Sequence, residues 1–295
     1  MKQANRGCVV CSMFEFLTLN EPALRFGAFA GVLAAMAIWE ALSPRRALAS
    51  GRARRWTTNL ALTGTGTLLL RVAVPLLAVG VAAEAERRGV GLFHWMEVPY
   101  AAAFILSLLA LDVLVYAQHV VFHRVGLLWR LHRVHHADTD VDVTTGIRFH
   151  PGETLISMAI KMAAVALLGA PVAAVILFEV VLNATAMFNH SNIALGTKTD
   201  TLLRRLIVTP DMHRVHHSVH RDEHDTNYGF SLSLWDMVFG TYRPQPRDGH
   251  TQMRLGLTAF PAPLPSGFGW SLWNPFSTDR HSDGSLPDGR GERTT

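Results

Sequence analysis

Histidine recurs at helical spacing on both sides of an apolar run too long for one membrane crossing, and few folds satisfy both features. His119 and His123 stand four residues apart; His132, His135 and His136 follow; and His213, His216 and His217 repeat that second pattern as an identical His-Arg-Val-His-His. Residues i, i+3 and i+4 share one face of a helix, so each group can aim two or three imidazoles at one point. Imidazole suits iron, zinc, copper and nickel. No cysteine or cluster of carboxylates stands beside these histidines, which argues against a thiolate zinc site or a calcium site. Between the second and third groups runs Leu155 to Phe188. As one helix it would extend about 51 Å at 1.5 Å per residue, against a hydrocarbon core of about 30 Å. Gly169-Ala170-Pro171 offers a break. Two antiparallel arms, crossing fully or re-entrant, then return the third group to the side of the first two.

The rest of the chain fits a membrane protein: 49% of its residues are hydrophobic and 17% charged, too apolar for an ordinary soluble domain. Phe26 to Leu42 reads as a first span closed by Ser43-Pro44. The loop after it holds Arg45, Arg46, Arg52, Arg54 and Arg55 with no acid, and the positive-inside rule puts it in the cytoplasm. Leu60 to Ala83 is expected to cross with some tilt, with Arg71 inside it either paired or lining a substrate route. Val98 to Tyr116 returns. Arg124 to Glu153 is too polar to cross and is expected on the cytoplasmic side. Glu179 and Asn183, one turn apart on an apolar arm, read as an interhelical contact or as pocket residues.

Trp235 and Phe239 could lie along the membrane surface, and the tail after Asn274 reads as disordered. The net charge of +4 is concentrated in one loop without aromatic interleaving, which excludes a nucleic-acid partner. Cys8 and Cys11 form a C-x-x-C with no second pair, read as incidental, and no cleaved signal peptide is read at the amino terminus. The expected fold is an all-α integral membrane protein of about four transmembrane or re-entrant helices under a cytoplasmic, histidine-rich helical cap. Its parts are residues 1–118, membrane helices and arginine loop; 119–242, the histidine region with the hairpin at 155–188; and 243–295, a C-terminal segment disordered after 274.

Asp112-x-x-x-Tyr116-x-x-His119-x-x-x-His123, Leu128-Trp129-x-x-His132-x-x-His135-His136, Arg148-x-His150-Pro151-x-Glu153, Asn189-His190-Ser191-Asn192, Pro210-x-Met212-His213-Arg214-x-His216-His217-Ser218, Asp225-x-Asn227-Tyr228-Gly229, Trp235-Asp236 and Phe239-Gly240-Thr241 together resemble the fatty acid hydroxylase / sterol desaturase superfamily. The likeness runs from Asp112 to Tyr242. Val120 departs from it, standing where that family often carries an arginine. The resemblance implies a di-iron centre, with zinc an alternative in resting preparations, that uses O2 to hydroxylate or desaturate a lipid. It carries ligand roles onto His119, His123, His132, His135, His136, His213, His216 and His217, and onto His190.

Eight histidines in three groups exceed what one ion can take, so two ions are expected. A ligating imidazole usually donates its other N–H to a carboxylate or carbonyl. Asp112, Asp138, Glu153, Asp211, Glu223 and Asp225 are candidates for that support, and His150 lies in a family motif as a candidate beside the site. His220 and His224 are doubtful ligands, while His94, His250 and His281 read as surface residues. No G-x-G-x-x-G dinucleotide fingerprint follows a strand, so a separate electron-transfer protein is expected. A zincin protease would need H-E-x-x-H, which is absent. A metal transporter, the competing reading, would place its ligands near the bilayer midplane, whereas these follow the ends of spans.

Overall fold

The structure, a computed structural model, describes residues 20–74 and 76–277. The expectations for Cys8, Cys11, His281 and the tail beyond residue 277 fall outside them. Helix α1 spans Glu21–Leu42, α2 Arg52–Ala73, α3 Ala78–Arg88 and α4 Tyr100–Arg124. Helix α5 spans Gly126–His136, α6 Pro151–Leu168, α7 Val172–His190 and α8 Pro210–His216. Among the described residues no strand forms; extended contacts are isolated bridges such as Pro44 with Ile193.

Among the described residues five stretches are long and apolar enough to cross a membrane: Pro22–Leu42, Arg52–Trp95, Tyr100–Arg124, Pro151–Leu168 and Val172–His190. The chain is a multi-pass integral membrane protein. Large apolar side chains such as Leu68, Val72, Ile105, Leu167 and Val181 face outward, as a lipid-facing surface requires.

The hairpin forms at the expected break. Gly169 ends α6 in the left-handed conformation (φ 65°), its N–H reaching the carbonyls of Val165 and Ala166, and Pro171 caps α7. Gly91 fits against this turn only because it lacks a side chain, since a Cβ there would stand 2.3 Å from the Gly169 nitrogen. At 18 and 19 residues the arms run about 27 and 28 Å, close to the hydrocarbon thickness.

The second span departs from expectation. It starts at Arg52 rather than Leu60, so Arg52, Arg54 and Arg55 are helical, and it stops at Ala73 rather than running through Ala83. The sequence puts Pro75 in the gap, and proline disfavours continuation of a helix. Helix α3 then packs at the far end of the bundle. Its Ala78 and Ala82 join Leu70, Leu111, Met158, Val165 and Phe178 in one apolar core.

The connections on the opposite side fold into a single cap. Glu40 Oε1, at the end of α1, accepts from the N–H of Val143 and of Asn192, both at 2.7 Å. Arginines of the loop after α1 and of the start of α2 are tied into this cap: Arg45 pairs with Asp211, Arg46 donates to the Met253 carbonyl, and buried Arg55, on α2, bridges Asp138 and Asp142 at 2.6 and 2.7 Å. Arg148 clamps the same cap to α2, donating to Asn59 Oδ1 at 2.6 Å and to the carbonyls of Val134 and Pro265.

Candidate metal centre

The last turns of α4 carry His119 and His123, α5 ends on His132, His135 and His136, α7 ends on His190, and α8 with the residue after it supplies His213, His216 and His217. These nine side chains meet beneath the cap in two groups. One is His119, His123, His132, His136 and His216; the other is His135, His190, His213 and His217; within each, the nitrogens facing inward lie within 4.8 Å of one another. The groups adjoin, the His136 and His217 rings stacking with centroids 4.7 Å apart. His190, isolated in the sequence, is at the middle of its group.

Hydrogen bonding fixes what these nitrogens can be. The Nδ1 of His119 donates to the Tyr228 carbonyl, that of His216 to Thr226 and that of His190 to Ala186, each at 2.7 Å. His135 Nδ1 donates to the Arg148 carbonyl at 3.2 Å. A carbonyl only accepts, so each of these Nδ1 atoms holds the ring proton and each Nε2 is a bare lone pair. Yet His119 Nε2 stands 3.0 Å from His216 Nε2, and His190 Nε2 stands 3.1 Å from His135 Nε2. Two lone pairs at that distance have no proton to share; a cation between them removes the repulsion. With metal–nitrogen bonds of about 2.1 Å, nitrogens at right angles would stand about 3.0 Å apart. His217, with neither ring nitrogen hydrogen-bonded, and His213 Nδ1 are buried without partners, which also fits a metal-binding group.

Electrostatics agree. Burial, then the neighbouring imidazoles, push His135, His136, His213, His216 and His217 well below the usual histidine range. Burial brings His132 down to about 3. The rings are therefore neutral near pH 7, the form that binds a metal.

Of the acids proposed to support imidazoles, two do so. Glu153 Oε1 accepts from His132 Nδ1 at 2.7 Å, and Asp225 Oδ1 lies 3.3 Å from His123 Nδ1. The others are engaged elsewhere. Asp112, two turns before His119 on α4, accepts from Trp235 Nε1 and the Leu232 N–H. Asp138 holds Arg55, Asp211 holds Arg45 and Arg214, and Glu223 accepts from Ser218 Oγ and the Arg247 N–H. His150 is a helix cap, its Nδ1 accepting from the Gly152 N–H at the start of α6.

Two surface assignments also change. His250 is buried beside Gln245 and Asp211, and His94 packs against the hairpin turn at Gly169. His220 meets Asp248 near solvent. His224 is buried, and with His123 and Asp225 it forms a third set of potential ligand atoms.

The other supports are main-chain carbonyls, which no acid in the sequence marks, and Asp236 and Asn227 aim two of them. Asp236 accepts from the N–H groups of Tyr228 and Gly229 at 2.8 and 2.9 Å. Asn227, at φ 52°, donates to the carbonyls of Met212 and Arg243. Together they hold the Thr226–Tyr228 turn whose carbonyls face His216 and His119.

A cavity of about 320 Å³ leads from His119, His132 and Glu153 into the helix bundle, walled by apolar residues including Leu70, Leu111, Leu114 and Phe122. Arg71 lines it, as do Glu179 and Asn183. Glu179 is also an interhelical contact, paired with Arg25 and Lys161, so both readings of that polar pair hold.

The model of the family described as fatty acid hydroxylase matches residues 104–241. An ornithine lipid hydroxylase of Rhizobium tropici is 33% identical over 179 residues, covering 61% of this chain and 52% of that protein. An alkylglycerol monooxygenase of Danio rerio is 31% identical over 156 residues, covering 52% and 34%. A very-long-chain aldehyde decarbonylase of Oryza sativa is 28% identical over 197 residues, covering 63% and 31%. The chain thus spans about half the length of the first and about a third of the other two. No solved structure matches.

Proposed function

We propose, from the premise that residues 104–241 of this chain are a domain of the fatty acid hydroxylase superfamily, that the two histidine groups hold a pair of iron ions and that the protein uses O2 to oxidise a C–H bond of a lipid. The observation that carries this reading is the convergence of unprotonated Nε2 atoms in two adjoining groups, with no proton available to reconcile them.

When bound, the irons supply the two-electron chemistry of O2: one oxygen enters the substrate as a hydroxyl or two hydrogens leave it, and water is the other product. The chain's own residues prepare for that. Neutral imidazoles leave the site rich in donors without adding charge, and the carbonyls of Tyr228, Thr226, Ala186 and Arg148 lock their orientation. Leu111, Leu114 and Phe122 exclude water and admit an alkyl chain to the face formed by His119 and His132. Two electrons per turnover come from outside these residues, in our reading from a separate electron-transfer protein. Closed groups in the cap, rather than ligands at the bilayer midplane, disfavour metal transport.

Element analysis of folded protein should find about two iron ions per chain. Labelled dioxygen should leave oxygen-18 in an alcohol product when reductant is supplied; an alcohol labelled from water would end the proposal. The arginines at the start of α2 further support a cytoplasmic cap. A cysteine replacing exposed Lys198, in a background lacking Cys8 and Cys11, should resist impermeant reagents in intact cells. Ready labelling there would invert the topology.

A further inference from the structure

The cavity ends, away from the histidines, on charge. Arg25, Arg71, Lys161 and Glu179 all line it. Glu179 is buried and receives Arg25 Nη1 and Lys161 Nζ, each at 2.7 Å. Glu179 is thus the one carboxylate lining this end beside Lys161 and Arg71, and the other acid of the cavity, Glu153, is engaged with His132 at the opposite end.

The helices put Arg71 at the same depth. Helices α2 and α6 both run away from the cap, and they touch where Gly66 faces Thr154, a Cβ at Gly66 meeting Thr154 Oγ1 at 3.2 Å. Arg71 lies five residues beyond Gly66 and Lys161 seven beyond Thr154, so the two differ by only about 3 Å along the bundle. Surplus positive charge at membrane depth costs several kcal/mol unless it is compensated or used. Helix packing alone does not call for it, since Glu179 with Lys161 would already make a neutral pair between the arms of the hairpin.

We propose that this end of the cavity is a headgroup site for a lipid with an anionic group, a carboxylate or a phosphate, held by Arg71 and Lys161 with Arg25 beside them. The inference rests on the reading of the protein as a lipid-oxidising enzyme and names its substrate class. Lys161 follows Glu153 by eight residues on α6, which sets the anionic group about 12 Å from the histidine centre along the helix axis. The apolar walls between hold the intervening chain. A charge-assisted contact at one end and a metal centre at the other would select both the lipid and the carbon that reacts.

Binding tests this without turnover. Hexadecanoate, hexadecyl phosphate and hexadecanol share one chain and differ at the head, and native mass spectrometry from a neutral detergent can rank them on the metal-loaded protein. At least one anion should bind roughly 10-fold or more tighter than the alcohol, and which anion leads identifies the headgroup chemistry. Arg71→Gln and Lys161→Gln should each shrink that preference while metal content stays the same. Arg71→Glu, at an exposed position, should turn it toward hexadecylamine. Equal binding of anion and alcohol by the native protein, or an unchanged preference in Arg71→Glu, would overturn the proposal. A retained anion preference in a protein that oxidises no lipid would instead count against the enzymatic reading and leave the headgroup site standing.

Discussion

In the group of His119, His123, His132, His136 and His216, two imidazoles lean on carboxylates, Glu153 and Asp225. In the group of His135, His190, His213 and His217, the Nδ1 partners found among the described residues are main-chain carbonyls, those of Arg148 and Ala186. The first group also presents His119 and His132 to the cavity, and none of the second lines it. A carboxyl group makes the imidazole it orients a stronger donor than a main-chain carbonyl does. The two positions therefore differ in electronic character although both consist of histidine. The difference places the carboxylate-supported group next to the cavity.

The largest effects should come from removing an imidazole from either group. His190→Ala and His216→Ala should each release metal and lower activity beyond the roughly 10–100-fold typical of losing an outer partner, and the two should be comparable, since each opens one group. Metal analysis and product formation on monodisperse samples check this; a fully metallated, active His190→Ala would dissolve the four-histidine group.

Smaller and one-sided losses should follow at the carboxylates. Glu153→Gln and Asp225→Asn replace the carboxyl group that orients the imidazole by a weaker acceptor, so metal affinity should fall by about 10-fold or somewhat more at the five-histidine group alone. Stepwise chelation should then show one loosened ion and one unchanged. Equal loosening of both would mean that the two positions are not electronically distinct. The smallest effect belongs to His220→Ala, where a partly exposed ring meets only Asp248: metal content and rate should match the native protein within error, and a loss of metal there would enlarge the site beyond the nine histidines.

Much of the fold could be read from local pattern. The hairpin break at Gly169-Ala170-Pro171, the return of His190 to the side of the other histidines and the membrane class all follow from run length, glycine, proline and parity, which are properties of neighbouring residues. The end of the second span is not legible in composition, which stays apolar beyond Ala73, where the helix ends. Among acids, Glu153 and Asp225 could not be told from Asp112, Asp138, Asp211 or Glu223 by position. What separates them is which arginine, hydroxyl, indole or backbone N–H reaches each first, and those partners come from remote parts of the chain, as Arg45 does for Asp211 and Trp235 for Asp112.

Helical spacing and hydrophobic length act locally, and they already bring nine imidazoles on helix ends to one side of a membrane bundle. How the nine divide depends on the packing of remote helices. His135 and His136 are adjacent in the chain yet enter different groups, because successive residues on a helix point about 100° apart and each meets a different neighbour. Likewise, the carbonyls that fix the tautomers of His119, His190 and His216 leave no trace in composition. Every residue has a carbonyl, and what matters is which one the fold turns toward the ring, as Asp236 and Asn227 turn those of Tyr228 and Thr226.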